Sequence, residues 1–350
     1  MKIDNLRADT PVARLFRADA TRPMALLKQC PVYAPTPIIE CPALAELQGI
    51  GSLTLKDESK RMRLGSFKAL GGAFAVAQMI SDAAKTADLE SSAARSAAAE
   101  MTFITASAGN HGLSVAAGAR VFGAQAVICL SSSVPESFAE RIRSLDARVV
   151  RVEGTYEESV AKAVVLADDN NWLLLADGSW DGYLERPALV MEGYTVLAAE
   201  CRDHFEASGN WPTHVFLQAG VGGLAAAVAA HIRLHWDNQP TIIVVEPEAA
   251  PCLMESIRAD QITNVGGPQS NMGRLDCKDA SLIAFHALKQ DADIFVTITD
   301  DEALAAASLL GEHGFSTTPS GAASFAGITQ IQPGADTHCL VLLTEGREEG

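Results

Sequence analysis

Three short segments carry residue types that could do chemistry together. The first is Gly65-Ser66-Phe67-Lys68-Ala69-Leu70-Gly71-Gly72-Ala73, which follows Lys56-Asp57-Glu58-Ser59. Lys68 stands at the start of a helical pattern among small and apolar residues. A lysine desolvated beside a helix N-terminus has its pKa lowered, which suits imine formation. Taken alone, the segment reads better as a surface lysine snorkelling off a helix. The second is Thr105-Ala106-Ser107-Ala108-Gly109-Asn110-His111-Gly112, between a strand and a helix. Its small residues expose backbone N–H groups that can seat a carboxylate, and Asn110 can donate to a phenolic oxygen. A plain helix cap reads equally simply. The third is Gln218-Ala219-Gly220-Val221-Gly222-Gly223-Leu224-Ala225, whose amides can cradle a phosphate. No GK[ST] follows, so it is not a P-loop. It does fit GxGxxA, and Glu246 ends the next strand, so a dinucleotide fingerprint stays open.

These segments need elements that converge. Apolar runs predict strands at Leu53–Lys56, Thr102–Thr105, Ala126–Leu130, Val149–Val152, Trp172–Ala176, His214–Gln218, Thr241–Glu246, Ile294–Ile298 and Cys339–Leu343. Helical patterns fill the gaps, among them Gly112–Phe122, Glu136–Ser144, Glu157–Asn170, Leu224–Trp236 and Glu302–Gly311. This alternation predicts an α/β fold with parallel sheets built by βαβ crossovers. Strands apolar on both faces agree with helices covering both sides. The Ala- and Ser-rich stretch Asp82–Glu100 reads as a helix pair or a linker. The proline-rich segment up to Pro42 reads as an extended arm.

The bulk numbers exclude several classes. The 350 residues carry a formal net charge of −16, which argues against a nucleic-acid partner. Seven cysteines form no CxxC pair, so neither a disulfide framework nor a zinc finger is expected. His231 and His235 lie at i, i+4, but no HExxH glutamate stands between them, and no metal is expected. No stretch suits a membrane span and no signal peptide stands at the N-terminus, so the expected location is cytoplasmic.

Taken together, KDES with SFKALGG, SAGNHG, Asp177-Gly178-Ser179-Trp180-Asp181-Gly182-Tyr183, Gln218–Leu224 and Val245-Glu246-Pro247 resemble the fold type II enzymes that use pyridoxal 5'-phosphate (PLP), the tryptophan synthase β-like group. The resemblance runs from about Pro37 to Glu345. Within the group it is strongest to diaminopropionate ammonia-lyases, then to threonine and serine dehydratases.

The resemblance implies two lobes of open twisted sheet with helices on both faces and PLP in the cleft. It implies a large domain of residues 1–72 and 189–350 and a smaller inserted domain of 73–188. Lys68 becomes the Schiff-base lysine and catalytic base, and Asn110 faces the PLP O3′. The amides of Gly220, Val221, Gly222, Gly223 and Leu224 take the phosphate. Ser107, Ala108, Gly109 and His111 hold the substrate carboxylate. Thr344 partners the pyridine nitrogen, with Ser320 as the alternative. Asp177 matches a second aspartate near the site; a loop-capping role is equally open. The ammonia-lyases carry an aspartate where this chain has Ala108, which cannot move a proton. One-base chemistry on L-substrates follows. Arg274 and Asp276 could read a substrate side chain, although a solvated pair is the simpler reading. Trp180 and Tyr183 could line the pocket or pack the core. The chain ends soon after Glu345, so no regulatory domain is expected.

The implied reaction is α,β-elimination from an L-2-amino acid bearing a β-amino or β-hydroxy group, giving a 2-oxo acid and ammonia. The alternative is a threonine, serine or 3-phenylserine dehydratase. A nucleotide-dependent oxidoreductase resting on Gly220–Ala225 and Glu246 is more remote, as is a PLP-carrying regulator without turnover. The expected partners are a small amino-acid substrate and a second copy of the chain in a homodimer, with no nucleic acid and no membrane.

Overall fold

The computed structural model describes residues 1–5, 14–107, 109–154 and 156–347. Among the described residues the strands are β1 Lys2–Asp4, β2 Ile38–Glu40, β3 Ser52–Asp57, β4 Thr102–Ala106, β5 Gln125–Ser131, β6 Arg148–Val152, β7 Leu173–Leu174, β8 His214–Gln218, β9 Thr241–Pro247, β10 Ile294–Ile298 and β11 His338–Leu343. They form two sheets. The larger has the order β1-β10-β9-β8-β11-β3-β2, and the smaller β6-β5-β4-β7. Every pairing is parallel except at the two edges of the larger sheet, where β1 and β2 run antiparallel.

The apolar strands split their side chains between two cores, as the period of two requires. In β8, Val215 and Leu217 join one core while Phe216 joins the other. In β9, Ile242 and Val244 face the first and Ile243 and Val245 the second. The first core takes in the helices Lys68–Ala84, Glu185–Ser208 and Gly223–His235. The second takes in Pro42–Gln48, Asp300–Glu312 and Pro319–Ala326. The smaller sheet repeats the pattern: Phe103 and Ile128 merge with the first core, while Ile104, Val127 and Cys129 pack under the helix Tyr156–Asn170. The α/β reading with helices on both faces therefore holds.

The N-terminal arm is more ordered than its composition predicts. Thr21–Leu27 is a helix that buries Pro23, Leu26 and Leu27, and β1 closes one edge of the larger sheet. The Ala- and Ser-rich stretch is the helix pair, the end of Lys68–Ala84 followed by Ser92–Ala99. The predicted strand Trp172–Ala176 shortens to two residues at a sheet edge.

Two helices meet more closely than side chains allow. A Cβ at Gly71 would lie 2.4 Å from the Tyr194 ring, and one at Gly193 would lie 2.8 Å from the Gly71 Cα. This contact seats the helix that begins with Lys68. Gly193→Ala is expected to destabilise the protein by about 1–3 kcal/mol through overpacking, read as a lower urea midpoint.

Glu246 is fully buried at the end of β9 and accepts the Leu253 and Met254 amides, each at 2.8 Å. Both carboxylate oxygens thus cap the helix Cys252–Ala259, so the carboxylate cannot read a ribose as the dinucleotide alternative requires. Burial pushes its pKa up from 4.5 to about 8 despite those amides. A folded pKa raised in this way gives a stability contribution that is complete below pH 4.5 and lost as pH rises through about 8. Urea unfolding across that window is expected to show this slope, and Glu246→Gln to flatten it.

Candidate active site

The carboxyl ends of parallel strands carry the loops that can bind, because helix N-termini begin there. Lys68 lies beyond β3, Asn110 beyond β4, Asp177 beyond β7, Gly220 beyond β8 and Thr344 beyond β11. These loops converge where the two sheets face each other.

Lys68 is the first residue of its helix, and several contacts fix it. Its amide donates to Ser66 Oγ at 3.3 Å, and its carbonyl accepts Ser114 Oγ at 2.6 Å. The Phe67 amide donates to the Thr344 carbonyl at 3.1 Å, and the Gly346 amide to the Gly65 carbonyl at 3.0 Å. The lysine segment is thus laced to the end of β11. Lys68 Nζ donates to Asp177 Oδ2, and both side chains retain 21% of their exposure. Two residues far apart in sequence, one behind each sheet, meet in this pair.

The pair corrects one expectation. Burial by itself pulls the Lys68 ammonium down, but the adjacent carboxylate outweighs it and the pKa is raised. The amine is protonated in the free protein. For Asp177, burial pushes upward and the Lys68 charge more than reverses it, so its carboxyl lies well below the usual range. Asp177 is therefore more than a loop cap. Its loop is pinned by Ser179, whose amide donates to Ser281 Oγ at 3.0 Å and whose carbonyl accepts the Leu282 amide at 3.0 Å.

His111 is buried, and its Nε2 lies 2.8 Å from the Leu175 carbonyl. Only a protonated Nε2 can donate there, which leaves Nδ1 as a buried acceptor without a partner among the described residues. Burial holds the imidazole pKa down and keeps the ring neutral. The Tyr194 hydroxyl, on the same side as Lys68, is likewise buried and unpartnered among the described residues.

Two helix N-termini border this space. The amides of Gly220, Gly222, Gly223 and Leu224 donate to no backbone carbonyl among the described residues, and the helix Gly223–His235 starts there. Gly222 has φ +96°, which permits the turn. A Cβ at Gly223 would come within 3.8 Å of the Asp177 carbonyl and the Tyr194 ring, so the turn borders the same space. The amides of Asn110, His111 and Gly112 open the second helix and donate to no backbone carbonyl among the described residues. Ser107 Oγ accepts the Gly109 amide at 3.2 Å and shapes that loop. Ala108 lies outside the described residues.

Thr344 and Ser320 are both buried. Thr344 Oγ accepts Gln218 Nε2 at 3.2 Å, and Ser320 Oγ accepts the Arg274 amide at 3.1 Å. Each hydroxyl keeps its own proton to offer. Trp180 and Tyr183 stack at 4.4 Å and line a surface groove of about 470 Å³ with Trp172 and Arg186, apart from Lys68. His231 is a core residue with Nδ1 2.8 Å from the Ala18 carbonyl. Among the described residues no cluster could hold a metal, and none of the seven cysteines is in a disulfide.

Sequence reasoning missed Glu345. Its buried carboxylate accepts Asn110 Nδ2 and, at 2.5 Å, Thr318 Oγ1, and lies 3.8 Å from Arg274 Nε. The signal was an acid two residues after the apolar run Cys339–Leu343. Arg274 is also drawn into the site instead of forming a solvated pair with Asp276, which binds Lys278 at 2.6 Å.

An amine, two sets of open amides, buried hydroxyls and orphaned acceptors around one space suit PLP, an aldehyde with a phosphate, a phenolic oxygen and a ring nitrogen. Comparison with known proteins agrees. The diaminopropionate ammonia-lyase of Escherichia coli (strain K12) is 34% identical over 285 residues, covering 80% of this chain and 71% of that protein. The crystal structure of the E. coli enzyme in complex with an aminoacrylate–PLP azomethine reaction intermediate aligns with a TM-score of 0.87 at 28% identity, over 99% of this chain and 93% of that one. The processed form of threonine deaminase isoform 2 from Solanum lycopersicum shares the fold, with a TM-score of 0.81 at 20% identity over 100% of this chain and 94% of that one. The family of pyridoxal-phosphate dependent enzymes matches residues 30–345, a span that takes in Lys68, Asp177, the Gly220–Leu224 turn and Thr344, and the chain belongs to that family.

Proposed function

We propose that this protein is a PLP-dependent ammonia-lyase that eliminates a β-amino or β-hydroxy group from an L-2-amino acid and yields a 2-oxo acid and ammonia. The observation that carries this reading is the Lys68–Asp177 pair beside two open helix N-termini. In it, Lys68 holds the cofactor, the amides from Gly220 to Leu224 take its phosphate, and Asn110 meets its phenolic oxygen. Thr344 serves the ring nitrogen in preference to Ser320, because the Thr344 backbone is bonded to the segment that carries Lys68. PLP, when bound, supplies an aldehyde and an electron sink that acidifies the α-carbon of an amino acid.

The chain's own residues then manage protons. Lys68 Nζ, once released as a neutral amine, takes the α-proton from one face. The Asp177 carboxylate stabilises the ammonium formed, and this ammonium is the proton source for a poor β-leaving group. The Ser107–His111 loop, with the amides of Asn110 and His111 at the helix start, orients the substrate carboxylate. Neutral His111 anchors that loop to Leu175. The second reading, a dehydratase of serine, threonine or phenylserine, is favoured by Ala108, which offers no second base. The proposed organisation is a large domain of residues 1–72 and 189–350 around an inserted domain of 73–188, working as a cytoplasmic homodimer. Among the described residues no helix is long and apolar enough to cross a membrane.

A keto-acid assay over both stereoisomers of diaminopropionate, serine, threonine and phenylserine tests the reading. L-isomers are expected to react and D-isomers to remain; brisk D-diaminopropionate turnover would contradict the one-base role. Asp177→Asn is expected to lower kcat/KM by about 10²–10⁴-fold. It also removes the charge that raises the Lys68 pKa, so the limb of the pH–rate profile governed by this amine is expected to shift to lower pH.

A further inference from the structure

Arg274 belongs to the loop that follows the helix Cys252–Ala259, away from every motif used above. Its backbone is nevertheless built into the site. The Arg274 amide donates to Ser320 Oγ at 3.1 Å, and a Cβ at Gly220 would lie 3.2 Å from the Arg274 carbonyl. Its side chain reaches across to the other sheet. A Cβ at Gly109 would lie 2.8 Å from Arg274 Nη1 and 3.3 Å from Cζ, so the guanidinium rests on the loop that offers amides to a carboxylate. Glu345 Oε2 stands 3.8 Å from Nε, and the Phe138 ring centroid 5.9 Å from Cζ. These neighbours fix the orientation of a planar cation whose side chain keeps 34% of its exposure.

A guanidinium matches a carboxylate in charge and in fork geometry. Amides at a helix N-terminus supply only partial charges. The acidic groups near this space, Asp177 and Glu345, repel an incoming carboxylate, so a cation at the loop offsets them. We infer that Arg274 is a substrate-binding residue: it joins the amides of the Ser107–His111 loop in holding the α-carboxylate of the amino acid, with Glu345 orienting its guanidinium. The inference rests on the lyase reading only for the identity of the site, because carboxylate capture does not require elimination.

The test uses holoenzyme with Arg274→Met and Arg274→Lys. Two readouts are taken: KM and kcat for L-serine, and a spectral titration of the bound cofactor with glycine, which has no β-substituent to lose. Arg274→Met is expected to raise KM and the glycine Kd together by about tenfold or more, with kcat within about twofold, and Arg274→Lys to recover part of the loss. Unchanged glycine affinity in Arg274→Met, or a fall in kcat with KM unchanged, would overturn the inference. So would a loss confined to L-threo-3-hydroxyaspartate, since that would make Arg274 a reader of a second carboxylate. If wild-type protein forms no keto acid but its glycine affinity still depends on Arg274, the lyase reading fails and this inference stands.

Discussion

The contact between Lys68 and Asp177 constrains the rest of the molecule. Lys68 follows a strand of the larger sheet and Asp177 follows one of the smaller, so their side chains meet only if both sheets turn their carboxyl ends toward one space. The close helix crossing at Gly71 and Gly193 serves that requirement by bringing the Lys68 helix against the long helix that follows the Asp177 loop. Ser179 and Ser281 fix the other side by tying the Asp177 loop to the helix Leu282–Asp291.

A partly buried ion pair of this kind is costly to desolvate and costly to break, which makes it weak as a stabiliser. Its value here is chemical. The carboxylate gives the lysine a charged resting state and a stabilised product when it takes up a proton. A second buried network stands behind it: Arg61 contacts Glu58 and Glu200, and Lys56 contacts Glu200 at 2.6 Å. Lys56, Glu58 and Arg61 belong to the strand and turn that lead to Lys68, and Glu200 ties them to the helix Glu185–Ser208, so the KDES motif reads as scaffolding for the lysine and not as a binding element.

Much of this was legible in the sequence for identifiable reasons. Parallel strands buried on both faces are nearly continuous apolar runs, so β4, β5 and β8–β11 announce themselves. Glycine-rich turns between strand and helix mark open amides, so Gly220–Leu224 and Gly109–Gly112 could be read locally. What could not be read was anything set by sheet order. Nothing local says that β11 lies between β8 and β3, which is what brings Thr344 to Lys68. For the same reason the lysine pKa was expected to fall: local sequence shows the burial of Lys68 but not the carboxylate 109 residues away. Glu345 escaped because its meaning lies in what it touches, and for the same reason Arg274 could be read only as a side-chain reader or half of a solvated pair. The N-terminal helix Thr21–Leu27 escaped because Pro23 and the prolines around the helix mask a short buried face.

The central claim is that one amine, Lys68, holds the aldehyde of the cofactor. Borohydride reduction of PLP-loaded protein followed by peptide mass spectrometry tests it most directly. A pyridoxyl mass on the peptide containing Lys68 is the predicted result; a label confined to other lysines, or none at all, would contradict the account.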